Sequence, residues 1–475
     1  MRRRAALGPL ALLALLVGCD QPAELRDAAN AAAAKVRLTD TLTVTVGGGA
    51  VVSTTPASGD APAQVRIRAQ SQDVRVDVVD RGCAPVTVAV TVTHLPTGIE
   101  GSWRALLDGL PLETVAARAA GGGVVDFQGD PHDRDRVPLG RERPFTPAEG
   151  SAPDVRRFWV TTDRGRQAVA ADEAPPVARP ALAGACVTLD APEAGRLGAA
   201  PLVARFRLRR PPRSGGFRFA VWGNTAGMTA ARGALIASVN AAAVDFAVIT
   251  GDLTASGRPD DLRAAVAQLD AGLAVPWYAT VGDRDVVSQA VGTVVAELGR
   301  TTFAFDVGDL RLIVLDSADK ALSPDGHTQL RAWLSDGPLW WGGTPAPPVR
   351  LVLTHVPPFD PFGTRANGFN QRLEAGRFIA ALKRAQVPYL LTSQLAVFET
   401  QRQAGVTVVH AGGGGAPMER DAAHHWLQVD VAEGCLAADD PPAADAPCGG
   451  CQAGQACTAE GCAPCVTLTK VEFSP

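Results

Sequence analysis

Short polar segments recur in the C-terminal half of the chain, each placed directly after an apolar run. In chain order these segments are Gly223-Asn224-Thr225-Ala226, Gly251-Asp252, Gly282-Asp283-Arg284-Asp285, Thr354-His355 and Ser393-Gln394-Leu395-Ala396. Carboxylates and imidazoles are the usual protein ligands of divalent metals. Polar residues just past strand ends are also where layered α/β folds place their ligand sites. The spacing therefore predicts a ligand site at the ends of several strands.

The elements that must position these residues follow from the hydrophobic periodicity. Strand-like and helix-like runs alternate after residue 217, with strands expected at 217–222, 245–250, 277–281, 310–316 and 350–354, and helices at 229–243 and 261–268. Strands that alternate with helices indicate a layered α/β domain, because each helix covers a face of the sheet. We place this domain at 217–433.

The order and spacing of the polar segments resemble the calcineurin-like metallophosphoesterase family, which includes the purple acid phosphatases. That family shows D-x-H, G-D, G-N-H-[DE], a lone H and G-H-x-H at these places, and the resemblance covers about 217–430. It implies an α/β fold in which a layered β-sandwich is flanked by helices. It also implies two divalent metals that activate a bridging water against a phosphoester. A sandwich in front of such a domain is also the purple acid phosphatase layout.

Most of the ligands that this resemblance implies are exchanged. Asp252 keeps the position that bridges the two metals, and His355 is the one imidazole kept of four. The exchanged positions, which include that of the catalytic histidine, are Asn224, Ala226, Asp283, Arg284, Gln394 and Ala396. Losses on this scale predict a degenerate site and a pseudoenzyme.

The two metal positions are affected differently. The first would keep Asn224, Asp252 and two methyl groups, and a binuclear centre is not expected because methyl groups cannot coordinate. The second could gather Asp252, Asp283, His355 and the Gln394 carbonyl. An oxygen-rich set of this kind suits Mg²⁺, Mn²⁺ or Ca²⁺. The prediction is therefore no metal or one weakly bound divalent ion.

Arg284 stands where the family has its catalytic histidine. An arginine stays charged at any working pH, so it cannot donate a proton as the histidine would. Two roles stay open for this side chain. It could clamp a phosphate or a carboxylate bidentately, or it could pair with Asp283, Asp252 or Asp285 and replace lost metal charge.

The N-terminus predicts export and anchoring. Three arginines at positions 2–4 precede an apolar run at 5–17, which is short for a membrane span and typical of a secretory signal. The run closes on Leu16-Val17-Gly18-Cys19, which resembles the lipobox of bacterial lipoproteins. There the signal, here 1–18, is removed and the cysteine carries the lipid. We expect a lipid-anchored protein of the bacterial cell envelope that faces the periplasm or the exterior; an ordinary signal peptide is the alternative.

The other eight cysteines predict disulfide bonds, because an exported protein meets oxidising conditions. Two lie in the N-terminal half, at Cys83 and Cys186, and six crowd a Cys-rich tail at 434–475, at Cys435, Cys448, Cys451, Cys457, Cys462 and Cys465. The pairs Cys448-x2-Cys451 and Cys462-x2-Cys465 also have zinc-site spacing, so a zinc site stays open as an alternative.

The N-terminal half reads as an all-β domain. Alternating β-branched residues between Gly/Pro clusters predict an antiparallel β-sandwich at 38–210. Residues 119–153 are expected to form a long surface loop, and 211–216 a linker to the α/β domain. Residues 19–37 are expected to form a lipidated tether, or a short helix, that lifts the body off the membrane.

The composition argues against some classes of protein. A hydrophobic fraction of 46% excludes global disorder, and 45 Lys+Arg against 49 Asp+Glu argues against nucleic-acid binding. The leading interpretation is a membrane-anchored lipoprotein with an impaired phosphoesterase domain that binds an anionic small molecule or a protein partner. One alternative is an active phosphoester hydrolase with a one-metal site that uses Asp252, Asp283, His355 and Arg284. The other is a structural cell-surface protein.

Overall fold

The computed structural model describes residues 23–59, 61–81, 86–96, 98–107, 110–111, 143–145, 154–163, 166–171, 202–210, 216–227, 229–287, 291–339, 346–363, 367–419, 422–435, 455–458 and 461–475. The predicted signal peptide, Cys19, Cys83, Cys186, Cys448 and Cys451 lie outside these residues, as do 211–215 of the predicted linker and all of the predicted surface loop but 143–145. The chain divides into an N-terminal unit, Ala32–Pro211, and an α/β unit, Met1–Ala31 with Pro212–Pro475.

The N-terminal unit contains two sheets that share one core. Its strands are β1 (Lys35–Arg37), β2 (Leu42–Gly47), β3 (Gly49–Thr55), β4 (Ala63–Ala69), β5 (Asp73–Asp80), β6 (Val86–Thr93), β7 (Glu100–Leu107), β8 (Leu110–Pro111), β9 (Arg143–Phe145), β10 (Arg156–Asp163), β11 (Arg166–Ala171) and β12 (Leu202–Arg209). One sheet has the order β1-β2-β5-β12-β7-β8, with β9 beside β7, and the other has the order β11-β10-β6-β4-β3.

One strand pair of this unit departs from the predicted antiparallel pattern. Strands β4 and β6 run parallel, whereas the other pairs among the described residues are antiparallel. The reason is the path of the chain, since β5 lies between β4 and β6 in sequence but belongs to the other sheet. A crossover of this kind returns the chain in the same direction.

The α/β unit is a four-layer arrangement of two sheets between two groups of helices. Its helices after the N-terminus are α2 (Thr229–Ala241), α3 (Pro259–Gly272), α4 (Val291–Leu298), α5 (Pro324–Trp333) and α6 (Arg372–Arg384). Its strands are β13 (Phe217–Trp222), β14 (Phe246–Thr250), β15 (Trp277–Thr280), β16 (Phe303–Val307), β17 (Leu310–Leu315), β18 (Val349–Thr354), β19 (Tyr389–Thr392), β20 (Phe398–Gln403), β21 (Val406–Ala411), β22 (His425–Val431), β23 (Gln455–Thr458), β24 (Gly461–Pro464) and β25 (Val466–Glu472). The layered α/β architecture expected from the sequence is confirmed.

Each sheet of this unit is covered on both faces. The first has the order β15-β14-β13-β22-β25 and the second β16-β17-β18-β19-β21-β20. Phe219 and Val221 of β13 point into the core between the sheets, and Ala220 and Trp222 point to the core under α2 and α3. Helices α5 and α6 cover the outer face of the second sheet. Burial on both faces explains why these strands are continuous apolar runs in the sequence.

The carboxyl ends of the central strands meet at one edge of the unit. Strands β13, β14 and β15 are parallel neighbours, and so are β17, β18, β19 and β21 in the facing sheet. Parallel strands end at the same edge, and the sheets pack face to face, so the loops after β13, β14, β15, β18 and β19 converge there. These loops carry the polar segments singled out from the sequence.

The helix α1 (Ala23–Ala34) begins in the α/β unit and leads directly into β1. The Arg26 side chain is 2% exposed and pairs with Asp316, which follows β17. Asn30 also bonds to Thr301 of this unit. The segment expected as a tether at 19–37 is therefore docked over 23–31, because a buried ion pair holds it there. No helix among the described residues is long and apolar enough to cross a membrane.

The expected Cys-rich tail contributes a strand to the first sheet. Strand β25 pairs with β22 in antiparallel register, so the α/β unit continues past the boundary expected at 433. A disulfide joins Cys435 to Cys465, as the sequence analysis predicts for cysteines of the tail, and Cys462 is disulfide-bonded as well. Two of the four cysteines of the alternative zinc site are thus in disulfides, which excludes that site.

Candidate metal site

Three of the sequence-predicted ligands meet at the converging strand ends. Asp252 lies two residues past β14, Asp283 lies three residues past β15, and His355 directly follows β18. One ligand atom of each lies within 4.8 Å of the others, and this is the one such cluster among the described residues. Asp252 and His355 are buried and Asp283 is partly buried. Ligand atoms this close together can share a single cation.

The His355 ring is oriented for metal binding. Its Nδ1 lies 2.8 Å from the carbonyl oxygen of Thr250. A carbonyl only accepts, so Nδ1 carries the hydrogen and the lone pair of the neutral ring is on Nε2. That Nε2 lies 3.4 Å from Asp252 Oδ1 and 3.7 Å from Asp283 Oδ1. Metal-binding histidines are held in the same way, by a hydrogen bond from the other ring nitrogen.

Ser393 supports this orientation from the second sheet. Its hydroxyl donates to the Thr250 carbonyl at 2.7 Å and lies 3.1 Å from His355 Nδ1. The backbone N–H groups of Ser393 and Gln394 donate to the His355 carbonyl at 3.0 and 2.9 Å. The Gln394 amide nitrogen then donates to Asp283 Oδ2 at 3.3 Å. The loop after β19 therefore joins the site through both backbone and side chain.

Four buried polar atoms at these loops lack hydrogen-bond partners among the described residues. They are Asn224 Oδ1, Asp283 Oδ1, His355 Nε2 and Gln394 Oε1. Three are acceptor oxygens, and the fourth is the lone-pair nitrogen of the neutral ring. Buried polar atoms are otherwise almost always paired, because an unpaired one costs about 1–3 kcal/mol. A set of orphaned acceptors beside two carboxylates fits a cation.

The loop backbones at the site adopt conformations that few residues tolerate. Asn224, Ala226 and Asp252 have φ values of 62°, 44° and 55°, in the left-handed region. Asparagine and aspartate adopt this region more readily than most residues, but alanine does not. Gly282 is also required, since a Cβ at this position would collide with the Asp252 carboxylate. Strain of this kind is concentrated at functional sites.

The exchanged positions Ala226 and Ala396 lie in the loops that follow β13 and β19. The Ala226 N–H donates to the Asp252 carbonyl at 2.8 Å, and the Ala396 carbonyl accepts from the Glu419 N–H at 2.9 Å. Both side chains are buried, at 8% and 6% exposure. Both positions therefore present buried methyl groups, which cannot coordinate a metal.

Arg284 binds Asp252 through its backbone more closely than through its side chain. Its N–H donates to Asp252 Oδ1 at 3.1 Å, and its Nε lies 3.4 Å from Asp252 Oδ2. The side chain is 49% exposed and makes no other polar contact with the described residues. Of the partners expected for it, Asp252 is the one found, and about half of the side chain is exposed to solvent.

Asp285 organises the loops, a role that the sequence analysis did not predict. Its carboxylate accepts from the N–H groups of Leu253, Thr254 and Gly282 and from the Thr254 hydroxyl, at 2.9–3.2 Å. Arg232 of α2 adds a buried hydrogen bond to the Leu253 carbonyl at 2.8 Å. An arginine inside an apolar helix was the available signal for this second contact. Asp285 therefore holds the Asp252 loop against the Asp283 loop, and Arg232 holds the Asp252 loop against α2.

The three cluster residues share their charges unequally. Burial raises the pKa of Asp252 to about 7. Burial also disfavours the charged forms of Asp283 and His355. The attraction between the two charged side chains outweighs this effect and lowers the pKa of Asp283 to about 2. The Asp252 charge and the Asp283 contact raise the pKa of His355 to about 9. In the absence of a cation, these shifts favour a protonated His355 beside Asp283.

The other buried histidines do not supply the missing ligands. The His410 ring contacts Thr392 Oγ1 and Gln401 Nε2, at 2.8 and 3.0 Å, and burial lowers its pKa to about 4. His425 opens β22, and its Nδ1 lies 3.0 Å from the Ala423 carbonyl. Neither ring belongs to the cluster of the three ligands.

The fold and the site together define a layered α/β protein with a candidate mononuclear metal centre. No protein-family description and no curated protein sequence matches the chain. Among solved structures, it is similar to purple acid phosphatase PPD1 from yellow lupin (Lupinus luteus) seeds at 11% identity and a TM-score of 0.37, over 82% of this chain and 86% of that chain.

Two further solved structures are similar to a smaller part of the chain. GAP50, the anchor in the inner membrane complex of Plasmodium, has 12% identity and a TM-score of 0.35, over 46% of this chain and 85% of that chain. TT1561 of Thermus thermophilus has 13% identity and a TM-score of 0.30, over 45% of this chain and 94% of that chain. Identities and TM-scores this low carry no statement about activity, ligand or partner.

Proposed function

We propose that the chain is a membrane-anchored lipoprotein with a calcineurin-like phosphoesterase fold that no longer hydrolyses phosphoesters and acts by binding an anion at a one-metal site. The observation that carries this proposal is the contrast within the site. Ligand atoms of Asp252, Asp283 and His355 lie within 4.8 Å of one another, but Ala226 and Ala396 offer only methyl groups at the expected first metal position.

The residues present fit one divalent cation. The ligands that would hold it are Asp252, Asp283, His355 Nε2 and the Gln394 carbonyl. In three of these four residues, the ligand atom has no hydrogen-bond partner among the described residues. An oxygen-rich donor set with one imidazole suits Mn²⁺ or Mg²⁺. A bound cation would neutralise the two carboxylates and polarise an anion beside it.

The same site lacks what two-metal hydrolysis needs. An ion at the first metal position would have to take ligands from Ala226 and Ala396, which offer none. A proton donor for the leaving group is also missing, because Arg284 keeps its proton at working pH. Losses of supporting residues alone cost 10–100-fold in affinity or activity, and here ligands themselves are lost.

Arg284 favours an anion as the ligand. A divalent cation would balance the charges of Asp252 and Asp283, so the Arg284 charge would be in excess at the mouth of the site. Its half-exposed guanidinium has donors to spare for a phosphate or carboxylate. Lys320 lies close enough for its charge to act on Asp283 and adds to the positive field.

Metal content and turnover of the purified soluble form, residues 20–475, test the proposal. We expect one Mn²⁺ per chain, no turnover of bis(p-nitrophenyl) phosphate above a protein-free control, and inorganic phosphate binding that requires Mn²⁺. Arg284→Gln should weaken phosphate binding at least tenfold and keep one Mn²⁺ per chain. Two metals per chain with turnover contradict the pseudoenzyme, and one metal with turnover favours the one-metal hydrolase.

We also propose that lipidation of Cys19 holds the α/β unit close to a bacterial membrane. Helix α1 begins four residues after Cys19, and an extended chain of four residues spans at most about 14 Å. Because Arg26 docks α1 on the α/β unit, little chain is left to act as a spacer. In fractionated cells, Cys19→Ser should move the protein from the membrane to the soluble fraction. A variant that stays on the membrane contradicts this anchoring.

A further inference from the structure

Helix α1 is attached to the α/β unit by a buried polar network. Arg26 Nε lies 2.6 Å from Asp316 Oδ2, and its terminal nitrogen lies 3.1 Å from Asp316 Oδ1 and 3.2 Å from Asp319. The Arg26 and Asp316 side chains are only 2% and 7% exposed. An ion pair this deeply buried is costly to break by removing one partner, because the other charge is left unpaired.

One arm of this network leads to His355. Asp316 is the residue after β17, and Ser317 follows it. The Ser317 hydroxyl accepts from the Val356 N–H at 2.9 Å. Val356 is the residue after His355, so the loop that Arg26 holds also fixes the backbone that presents the imidazole.

A second arm leads to Asp283. The Asn30 side chain donates to Thr301 Oγ1 at 3.1 Å and accepts from the Thr301 N–H at 2.9 Å. The Thr301 carbonyl accepts from the Thr280 hydroxyl at 2.7 Å. Thr280 ends β15, three residues before Asp283. The Thr301 hydroxyl also donates to Asp316 at 2.9 Å and so joins the two arms.

We infer that α1 is a conformational coupling element between the N-terminus of the chain and the metal site. In its docked state, α1 fixes the two loops that present His355 and Asp283. In its undocked state those loops lose buried partners, and the ligand set is no longer held in place. This inference rests on the proposed metal site, but no family motif contributes to it.

The two states are physically accessible because α1 is weak alone. It has 12 residues, seven of them alanine, and isolated helices of this length are marginal in water. Docking therefore depends on the contacts of Arg26, Asp27 and Asn30, together with the buried Ala29. Coupling between two sites is reciprocal, so the cation must stabilise docking by the same factor by which docking strengthens cation binding.

A matched pair of variants tests the first direction of the coupling. Arg26→Met removes the buried charge and leaves a long unbranched side chain. Arg331→Met makes the same change at an exposed position of α5. We expect Arg26→Met to bind Mn²⁺ at least fivefold more weakly than the wild type, within the usual range of coupling. Arg331→Met should bind as the wild type does. Asn30→Ala, which cuts the second arm alone, serves if Arg26→Met does not fold.

Hydrogen exchange on the wild-type protein tests the reverse direction without any substitution. Mn²⁺ should raise the protection of the α1 amides against exchange. The factor of this increase should equal the factor by which undocking of α1 weakens Mn²⁺ binding. A rise that is equal in every amide reports global stabilisation and overturns the coupling. So does Mn²⁺ affinity that is unchanged by undocking variants. A wild type that binds no Mn²⁺ contradicts the proposed metal site itself, which separates the two failures.

Discussion

Replacing His355 by asparagine is expected to weaken Mn²⁺ binding by more than about 100-fold. The Asn amide can still donate to the Thr250 carbonyl, as Nδ1 does, but it has no counterpart of Nε2 facing Asp252 and Asp283. Loss of a supporting residue costs 10–100-fold in metal affinity, and loss of one of three clustered ligands should cost more. Isothermal titration of metal-free protein with Mn²⁺ measures the change directly.

His410→Asn is the matched control for this variant. Both histidines are fully buried and lie at the carboxyl end of a strand, but His410 contacts Thr392 and Gln401 instead of the cluster. His410→Asn should therefore lower the free energy of unfolding and leave Mn²⁺ affinity unchanged. Equal losses of affinity in the two variants would mean that His355 acts on the fold and is not a ligand.

The metal-free protein should also lose stability as pH rises, through the same histidine. The pKa of His355 is raised to about 9, against about 6.5 for an unfolded chain. A raised pKa stabilises the folded state fully below pH 6.5, and this contribution is lost as pH rises to 9. The difference corresponds to about 3 kcal/mol. Urea unfolding in chelator at pH 6 and pH 9 should show a larger loss in the wild type than in His355→Asn, where the raised pKa of Asp252 still contributes a loss.

The periodicity of the sequence predicts most strands of the α/β unit and the positions of the candidate ligands. Buried parallel strands are apolar throughout, so 245–250 and 350–354 could be recognised without long-range information, and they are found as Phe246–Thr250 and Val349–Thr354. Since ligands follow strand ends, Asp252 and His355 could be named with them. The structure brings these residues together with Asp283, as the spacing predicts.

The features of the structure that the sequence did not predict depend on contacts between distant segments of the chain. Arg26 lies in a polar, alanine-rich stretch that reads as a tether, and its partner Asp316 is 290 residues away. Strand β25 was hidden because the cysteines around it dominate the composition of the tail. Asp285 follows Arg284 as an ordinary loop acid, and only its four donors show that it ties two loops together. No local pattern encodes these partners.

Restoring the six exchanged positions is expected to convert the chain into a two-metal hydrolase. The substitutions are Asn224→Asp, Ala226→His, Asp283→Asn, Arg284→His, Gln394→His and Ala396→His. The backbone is prepared for them, since the loops after β13, β14 and β19 already converge on Asp252 and His355. At φ 44°, histidine at position 226 is less strained than most residues.

The main obstacle to this conversion is steric, because larger side chains must fit at buried positions. Ala226 and Ala396 are 8% and 6% exposed, and overpacking a core costs about 1–3 kcal/mol per site. Two bound ions should offset part of this cost, because a ligand of the folded state stabilises it by mass action. The variant should therefore be prepared with Mn²⁺ or Zn²⁺ present, and its folding should be checked by circular dichroism.

The measurement is metal stoichiometry together with hydrolysis of bis(p-nitrophenyl) phosphate. We expect two ions per chain and turnover at least about 100-fold above the wild type, since a second ion and a proton-donating histidine each restore large contributions. The matched control carries the six substitutions together with Asp252→Asn. It keeps every imidazole but loses the bridging carboxylate, so it should bind fewer than two ions and show no turnover. If the variant with six substitutions folds but still binds at most one ion, Ala226 and Ala396 do not occupy the first metal position.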